Sequence, residues 1–455
     1  MSQVLLKNCF YLVTDADDPG RSGRDLLIEG NRVARVAEHI EPPPDARVID
    51  ASRHLVIPGL VNTHHHFYQT LTRNLPAVQN AELFDWLVYL YEVWKHVDRE
   101  AIYWSTVLAG AELLKTGCTT ATDHHYLYPR GVVEDIMATQ FAGAEATGIR
   151  FSPTRGSMSL SKKDGGLPPD SVVQEEREIL RDSERVIRAF HDPSELSMRR
   201  VALAPCSPFS VSEASLKETV SLAREHGVLL HTHLAETEDE NAYCLEHLGR
   251  RPLTLMEDCG FVGPDVFFAH GIHFNDEELD RLAETGCHIA HCPTSNMRLG
   301  SGIARITEMI ERGINVGLGV DGSASNDSSD MVGEARNAML LQRVARGADA
   351  LTARNVFRMA TENGARLLHF DRVGRLKEGW AADIALFDLQ KLEYAGALSD
   401  PLAALFFAGY NHGADYTIVN GEVVVEQGRL SGVEEDVIVD RANNAAKRLY
   451  TLAGG

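Results

Sequence analysis

Three consecutive histidines, His64, His65 and His66, close an apolar run in LVIPGLVNTHHHFYQ, residues 55–69. On an extended chain alternate side chains share a face, so His64 and His66 project one way and His65 the other. Two imidazoles on one face can bind one metal ion, although an isolated H-x-H is as easily a surface turn. Further candidates lie at the ends of other apolar or β-branched runs: His233, His270, His291 and Asp321. A zinc site takes about four nitrogen, sulfur or oxygen donors from separate elements, and a catalytic one leaves room for water. The set that fits is His64, His66, His233 and Asp321. Glu236, three residues past His233 in H-L-A-E, places a carboxyl group close to such a centre, where it would serve as acid and base. Standing alone it would equally suit a helix N-terminus.

These residues need a frame. Eight short runs read as strands: 55–63, 119–123, 149–154, 201–206, 228–233, 266–270, 288–293 and 314–321. Helical patterns intervene, such as REAIYWSTVLAGAELLKTG, SEASLKETVSLAREHG and DEELDRLAETG, each stopping at glycine. Eight alternations predict a (β/α)₈ barrel, with chemistry at the C-terminal ends of its strands. A doubly wound sheet is the rival. Residues 1–57 and the last 80 or so read as strands and turns, including Asn420-Gly421, and predict a small β-sandwich domain built from both chain ends. The expected division is 1–57 with 370–455, and 58–369 for the barrel. The long interval between His66 and Thr119, with the aromatic LFDWLVYLYEVWKHV, is expected to cap the barrel mouth or pack on its wall.

Composition narrows the classes. A formal charge of −21 over 455 residues argues against holding a polyanion, so no nucleic-acid partner is expected. Seven cysteines without a C-x-x-C pair suit a reduced, cytoplasmic setting rather than a disulfide framework. No apolar stretch reaches the length of a membrane span. GLGVDG, residues 317–322, matches G-x-G-x-x-G, yet lacks the acid-tipped strand that follows a dinucleotide fingerprint. The H-x-E and P-C-x-x-C signature of cytidine-type deaminases is absent.

The ordered segments PGLVNTHHH, HTHLAET, FFAHGIH, CPTSNMRLGSG and GLGVDGSASN resemble the amidohydrolase superfamily, in its branch acting on purines, pterins and triazines. GRLKEGWAADIALFD resembles that family's return from barrel to β-domain. The resemblance implies metal ligands at His64, His66, His233 and Asp321, with Glu236, His270 and Asp321 catalytic. No lysine matches the bridging position of binuclear members, which implies one divalent ion, with zinc expected. In the implied chemistry Asp321 takes a proton from the attacking water, His270 orients that water, and Glu236 protonates the ring nitrogen. His65, His231, His273, His288 and His291 read as structural, and His124 and His125 as possible pocket contacts.

HHHFYQTLTR, AELFDWLVYLYEVW and HLAETEDE resemble members acting on oxidised purines, which implies a free base as partner: 8-oxoguanine, hydrolysed to urate and ammonia. Isoxanthopterin, guanine or an s-triazine is the alternative, and a metal-free scaffold the reading from another class. Guanine-specific members carry an arginine where this chain has Val201. Gln69 is expected against the purine edge, Trp86 on the ring face and Cys206 at the purine edge. The family's habit implies a homo-oligomer.

Overall fold

The computed structural model describes residues 3–129, 131–132 and 136–454. A ring of parallel strands occupies the middle of the chain. In order these are Leu60–Asn62, Cys118–Ala121 with His124–His125, Arg150–Phe151 with Thr154–Ser157, Ala202–Pro205, Leu230–Leu234, Val266–His270, His288–His291 and Asn315–Leu318. The second and third strands break midway, and bonds such as Thr154 N to Asp123 O (2.8 Å) carry the ladder across. The ring closes where Thr63 N donates to Leu318 O (3.0 Å) and Asp321 N to His64 O (3.0 Å). Residues of these strands are buried on both faces, as parallel strands under helices must be. This is the expected (β/α)₈ barrel.

The helices start and stop on local chemistry. Arg99–Lys115 begins where Asp98 accepts from Ala101 N, and Glu213–His226 where Ser212 accepts from Ser215 N. Asp276–Thr285 opens on a capping box between Asn275 and Glu278. Gly227 and Gly286 end the last two in the left-handed conformation.

The run 55–63 is two strands rather than one. His54–Pro58 belongs to a sheet outside the barrel, and only Leu60–Asn62 enters the ring. Pro58 marks the break: it cannot donate to a ladder, and Gly59 next to it lies so close to Thr119 that a β-carbon would collide. The six-stranded outer sheet runs Tyr11–Leu12, His54–Pro58, Ile384–Asp388, Tyr416–Val419, Glu422–Glu426 and Arg429–Leu430. A four-stranded sheet of Gln3–Cys9, Arg24–Glu29, Arg32–Ala37 and Arg47–Asp50 shares its apolar core, through residues such as Val4, Leu26, Ile28, Ile384 and Leu386.

The chain end departs from the all-strand reading. Glu435–Leu452 is a helix lying on Arg99–Lys115, with Tyr450 Oη donating to Leu71 O (3.1 Å) and Arg448 paired with Asp98 (2.9 Å). Its buried residues Ile438, Ala442, Ala445 and Leu449 recur every three or four positions, a helical stripe masked by the preceding β-branched Val-Ile-Val.

One buried ion pair joins the barrel to the outer sheet. Arg150 grips Asp383 through Nε–Oδ2 (3.0 Å) and Nη2–Oδ1 (3.1 Å), while Asp383 Oδ1 also accepts from Asn420 N (2.7 Å). Removing one partner leaves a buried charge uncompensated. Asp383→Ala is expected to lower stability by about 3 kcal/mol, read from the denaturant midpoint; an unchanged midpoint would show the pair to be dispensable.

Candidate active site

The three histidines act as the alternation predicts. His64 and His66 point into the barrel mouth, whereas His65 turns away, its Nε2 3.0 Å from Ser329 Oγ. His64 Nε2 and His66 Nε2 each lie 3.3 Å from Asp321 Oδ1, and His66 Nε2 lies 3.1 Å from His233 Nε2. All four residues are buried. Strands one, five and eight thus deliver four donor atoms to one point.

Hydrogen bonds decide what those atoms present. His66 Nδ1 donates to His124 O (2.7 Å) and His233 Nδ1 to Cys206 O (2.6 Å), since a carbonyl can only accept. Burial holds all three imidazoles below their ordinary pKa, His66 at about 3, so each is neutral and turns an Nε2 lone pair inward. His64 Nε2 has no hydrogen-bond partner. Asp321 Oδ1, between His64 and His66, is the fourth donor, a carboxylate oxygen. Three lone pairs and a carboxylate oxygen therefore meet with no hydrogen between them. Ligands about 2.0–2.1 Å from a tetrahedral zinc stand about 3.4 Å from one another, close to the spacings found. The donor set fits a divalent cation.

His124 also reaches this cluster, its ring stacked on His233 at 4.6 Å and its Nδ1 without a partner. His231 lies directly behind His64, with 2.8 Å between its Nε2 and His64 Nδ1. Neither relation follows from residue type.

Two further groups face the cluster. His270 Nε2 lies 3.5 Å from Glu236 Oε2 and 4.0 Å from Asp321 Oδ2, and its Nδ1 donates to Asn296 Oδ1 (2.9 Å). Burial opposes the imidazolium of His270, yet the neighbouring Glu236 and Asp321 carboxylates bring its pKa up. Burial pushes the Glu236 carboxyl up to about 7, against the pull of His270. Backbone strain sets their aim. Ala235, His270 and Asp321 all have positive φ, 54°, 70° and 65°. His233 pairs with Ala269 in the ladder, so alternation would carry His270 to the outer face. The left-handed turn brings it back to the mouth. Glu240, a buried carboxylate, accepts from Ala235 N (2.8 Å) and Glu236 N (3.1 Å) and holds the second such turn.

Two of the three glycines of GLGVDG find their reason here. A β-carbon on Gly319 would stand 2.7 Å from His64 Cβ, and one on Gly322 would overlap the Gln69 amide. Both make room for site side chains rather than for a phosphate.

Over this floor lies a partly enclosed pocket. Gln69, Trp86 and Cys206 all line it, as do Tyr126, Phe209 and Leu299, and among the described residues no lysine or arginine does. Helix Leu83–Trp94 forms one wall, so the aromatic segment caps the mouth. Gln69 Oε1 and Trp86 Nε1 are buried without partners. Cys206 Sγ lies 3.9 Å from His233 Nδ1. His291 is buried with both ring nitrogens unpaired and lies outside the donor cluster. His273 is held by Glu238 and Ser301 O, and His288 by Pro264 O. His125 donates to Leu127 O (2.7 Å) and does not line the cavity.

Residues 55–424 match the model of the amidohydrolase family. The chain is 46% identical over 451 residues to 8-oxoguanine deaminase of Pseudomonas aeruginosa, covering 99% of both chains. It is 40% identical to hydroxydechloroatrazine ethylaminohydrolase of Pseudomonas sp. strain ADP, over 86% of this chain and 82% of that one. Among solved structures, atrazine chlorohydrolase from Arthrobacter aurescens TC1 complexed with zinc superposes with a TM-score of 0.93, at 29% identity over 97% of this chain and 100% of the other.

The donor geometry carries its own test. Metal-free protein is expected to take up one equivalent of Zn²⁺, and His233→Ala to weaken that binding by more than about 100-fold, both read by chelator competition. Undiminished binding by the variant would separate His233 from the centre.

Proposed function

The chain belongs to the amidohydrolase family, and on that footing we propose that it is a mononuclear zinc aminohydrolase converting 8-oxoguanine and water to urate and ammonia. Hydrolytic deamination is the reaction class; the base is the finer reading. One observation supports it: the pocket beside the four-donor centre is lined by Gln69 and Trp86, whose Oε1 acceptor and Nε1–H donor are buried without partners. An oxopurine lactam offers the complementary N–H and C=O. The likeness along nearly the whole of both chains to a protein named 8-oxoguanine deaminase supports the same base.

His64, His66, His233 and Asp321 would hold the ion. Zinc in such a site lowers the pKa of water to about 7 and so supplies a nucleophile at neutral pH. Asp321 Oδ2, the oxygen on the His270 side, takes the proton released as water attacks the carbon bearing the amino group. His270, its Nδ1–H fixed by Asn296, presents Nε2 to the attacking oxygen. Glu236, whose carboxyl burial pushes up to about 7, gives its proton to the adjacent ring nitrogen. The proton on Asp321 passes to the amino group, the C–N bond breaks and ammonia leaves, and the remaining hydroxyl proton returns to Glu236 as the carbon keeps the oxygen of water as a carbonyl. Gln69 Oε1 accepts from the N–H edge and Trp86 Nε1–H donates to the oxo edge, with Cys206 beside them. Seven buried free cysteines support a reducing, cytoplasmic setting.

Ammonia release from 8-oxoguanine, guanine, isoxanthopterin and a hydroxylated s-triazine, with zinc measured on the same sample, tests the substrate. 8-Oxoguanine is expected to give the highest kcat/KM; a clear preference for guanine would overturn the reading. Glu236→Gln is expected to keep its zinc and lose about 10²- to 10⁴-fold in kcat. Trp86→Phe, which keeps the ring but removes the N–H, is expected to lower kcat/KM about tenfold. An unchanged value would leave only the ring face for Trp86.

A further inference from the structure

We propose that His231 is a positioning residue for the metal centre: its Nε2 accepts the Nδ1–H of His64 and so aims the His64 Nε2 lone pair at the other three donors. The inference rests on the zinc reading above and assigns work to a residue outside the donor set. The direction of the hydrogen bond follows from its far end. His231 Nδ1 lies 2.8 Å from Phe267 O, and a carbonyl accepts, so Nδ1 carries the hydrogen and Nε2 is left as an acceptor. His64 Nδ1, 2.8 Å from that acceptor, must donate. A neutral imidazole that donates through Nδ1 has its lone pair on Nε2, the atom 3.3 Å from Asp321 Oδ1.

The arrangement repeats, with one change, what holds the other two histidines. His66 and His233 donate their Nδ1–H to backbone carbonyls, of His124 and Cys206, whereas His64 has no carbonyl there and uses an imidazole. That imidazole is itself immobile. Its ring stacks on Phe267 with centroids 3.9 Å apart and planes 13° from parallel, and it is fully buried. His231 does not line the substrate cavity; its ring also packs on His124, with centroids 4.7 Å apart, but its hydrogen bond to the donor set runs to His64. One strand, Leu230–Leu234, thereby contributes a donor, His233, and two residues earlier on the same face the support of a donor from the first strand.

Removing the acceptor has a defined consequence. A buried His64 Nδ1–H would be left unpaired, and the other tautomer would turn Nε2–H toward the ion's position. His231→Phe keeps a flat ring beside Phe267 without an acceptor, and His231→Gln supplies a carbonyl oxygen, the kind of acceptor that serves His66 and His233. Zinc affinity of the metal-free full chain, by chelator competition, is expected to fall about 10- to 100-fold in His231→Phe and to stay near the wild-type value in His231→Gln. Melting of the metal-free proteins controls for folding. Wild-type affinity in a folded His231→Phe overturns the proposal, as does a His231→Gln as weak as His231→Phe. Should His231→Phe fail to fold, His231→Gln decides: retained affinity supports the acceptor role and a tenfold loss overturns it. If the wild-type chain itself takes up no zinc, the metal reading fails instead, and the two failures are distinct.

Discussion

Four acceptor atoms without a hydrogen among them cannot be packed at 3.1–3.3 Å unless something positive holds them. That repulsion is the constraint on which the barrel mouth is organised. Each imidazole has its other nitrogen committed to an acceptor behind it, so no rotation or change of tautomer relieves the crowding without breaking a buried hydrogen bond. The same commitment makes the site selective for a cation that accepts nitrogen and oxygen donors at short distance. Burial adds to this, because solvent cannot screen the four atoms from one another.

The barrel makes such a meeting attainable because strands far apart in sequence end side by side. His64 is on the first strand and Asp321 just past the eighth, and the bond from Asp321 N to His64 O is also one of the bonds that close the ring. Closure of the fold and assembly of the site are therefore one event at this seam. Gly319 is needed there since any side chain would displace His64. The strained backbone at Ala235, His270 and Asp321 costs on the order of 1–3 kcal/mol per residue, which the surrounding buried network has to offset. Glu240 and Asn296 belong to that network: neither reaches the donor atoms, yet one fixes the turn carrying Glu236 and the other the ring of His270.

Much of this frame was legible in the sequence, and the reason is periodicity. Buried parallel strands have to be short apolar or β-branched runs, and the helices between them carry caps and terminal glycines, so eight alternations can be counted by eye. The pairing of His64 with His66 and the exile of His65 follow from a two-residue repeat alone. Other features depend on tertiary partners. The break at Pro58 and Gly59 marks where one run passes between two sheets, and residue type does not say which strand each half will join. The terminal helix hid behind Val437, Ile438 and Val439, whose branching favours strands; only the longer spacing of Ile438, Ala442, Ala445 and Leu449 betrays it. A left-handed histidine has no sequence mark. Alternation therefore locates His270 at the right strand end without showing how it turns inward.

The two carboxyl groups at the mouth show how one buried environment yields opposite protonation. Asp321 stands in the donor cluster, where a bound cation would hold it ionised, whereas Glu236 lies outside that cluster, 3.5 Å from His270, and burial pushes its carboxyl up to about 7. Exchanging their surroundings would exchange their roles. A group fixed as an anion suits holding a cation and accepting a proton for a moment; a group poised near neutrality suits giving one away. Among the described residues no lysine or arginine lines the pocket, and a fixed cation beside Glu236 would pull its pKa down.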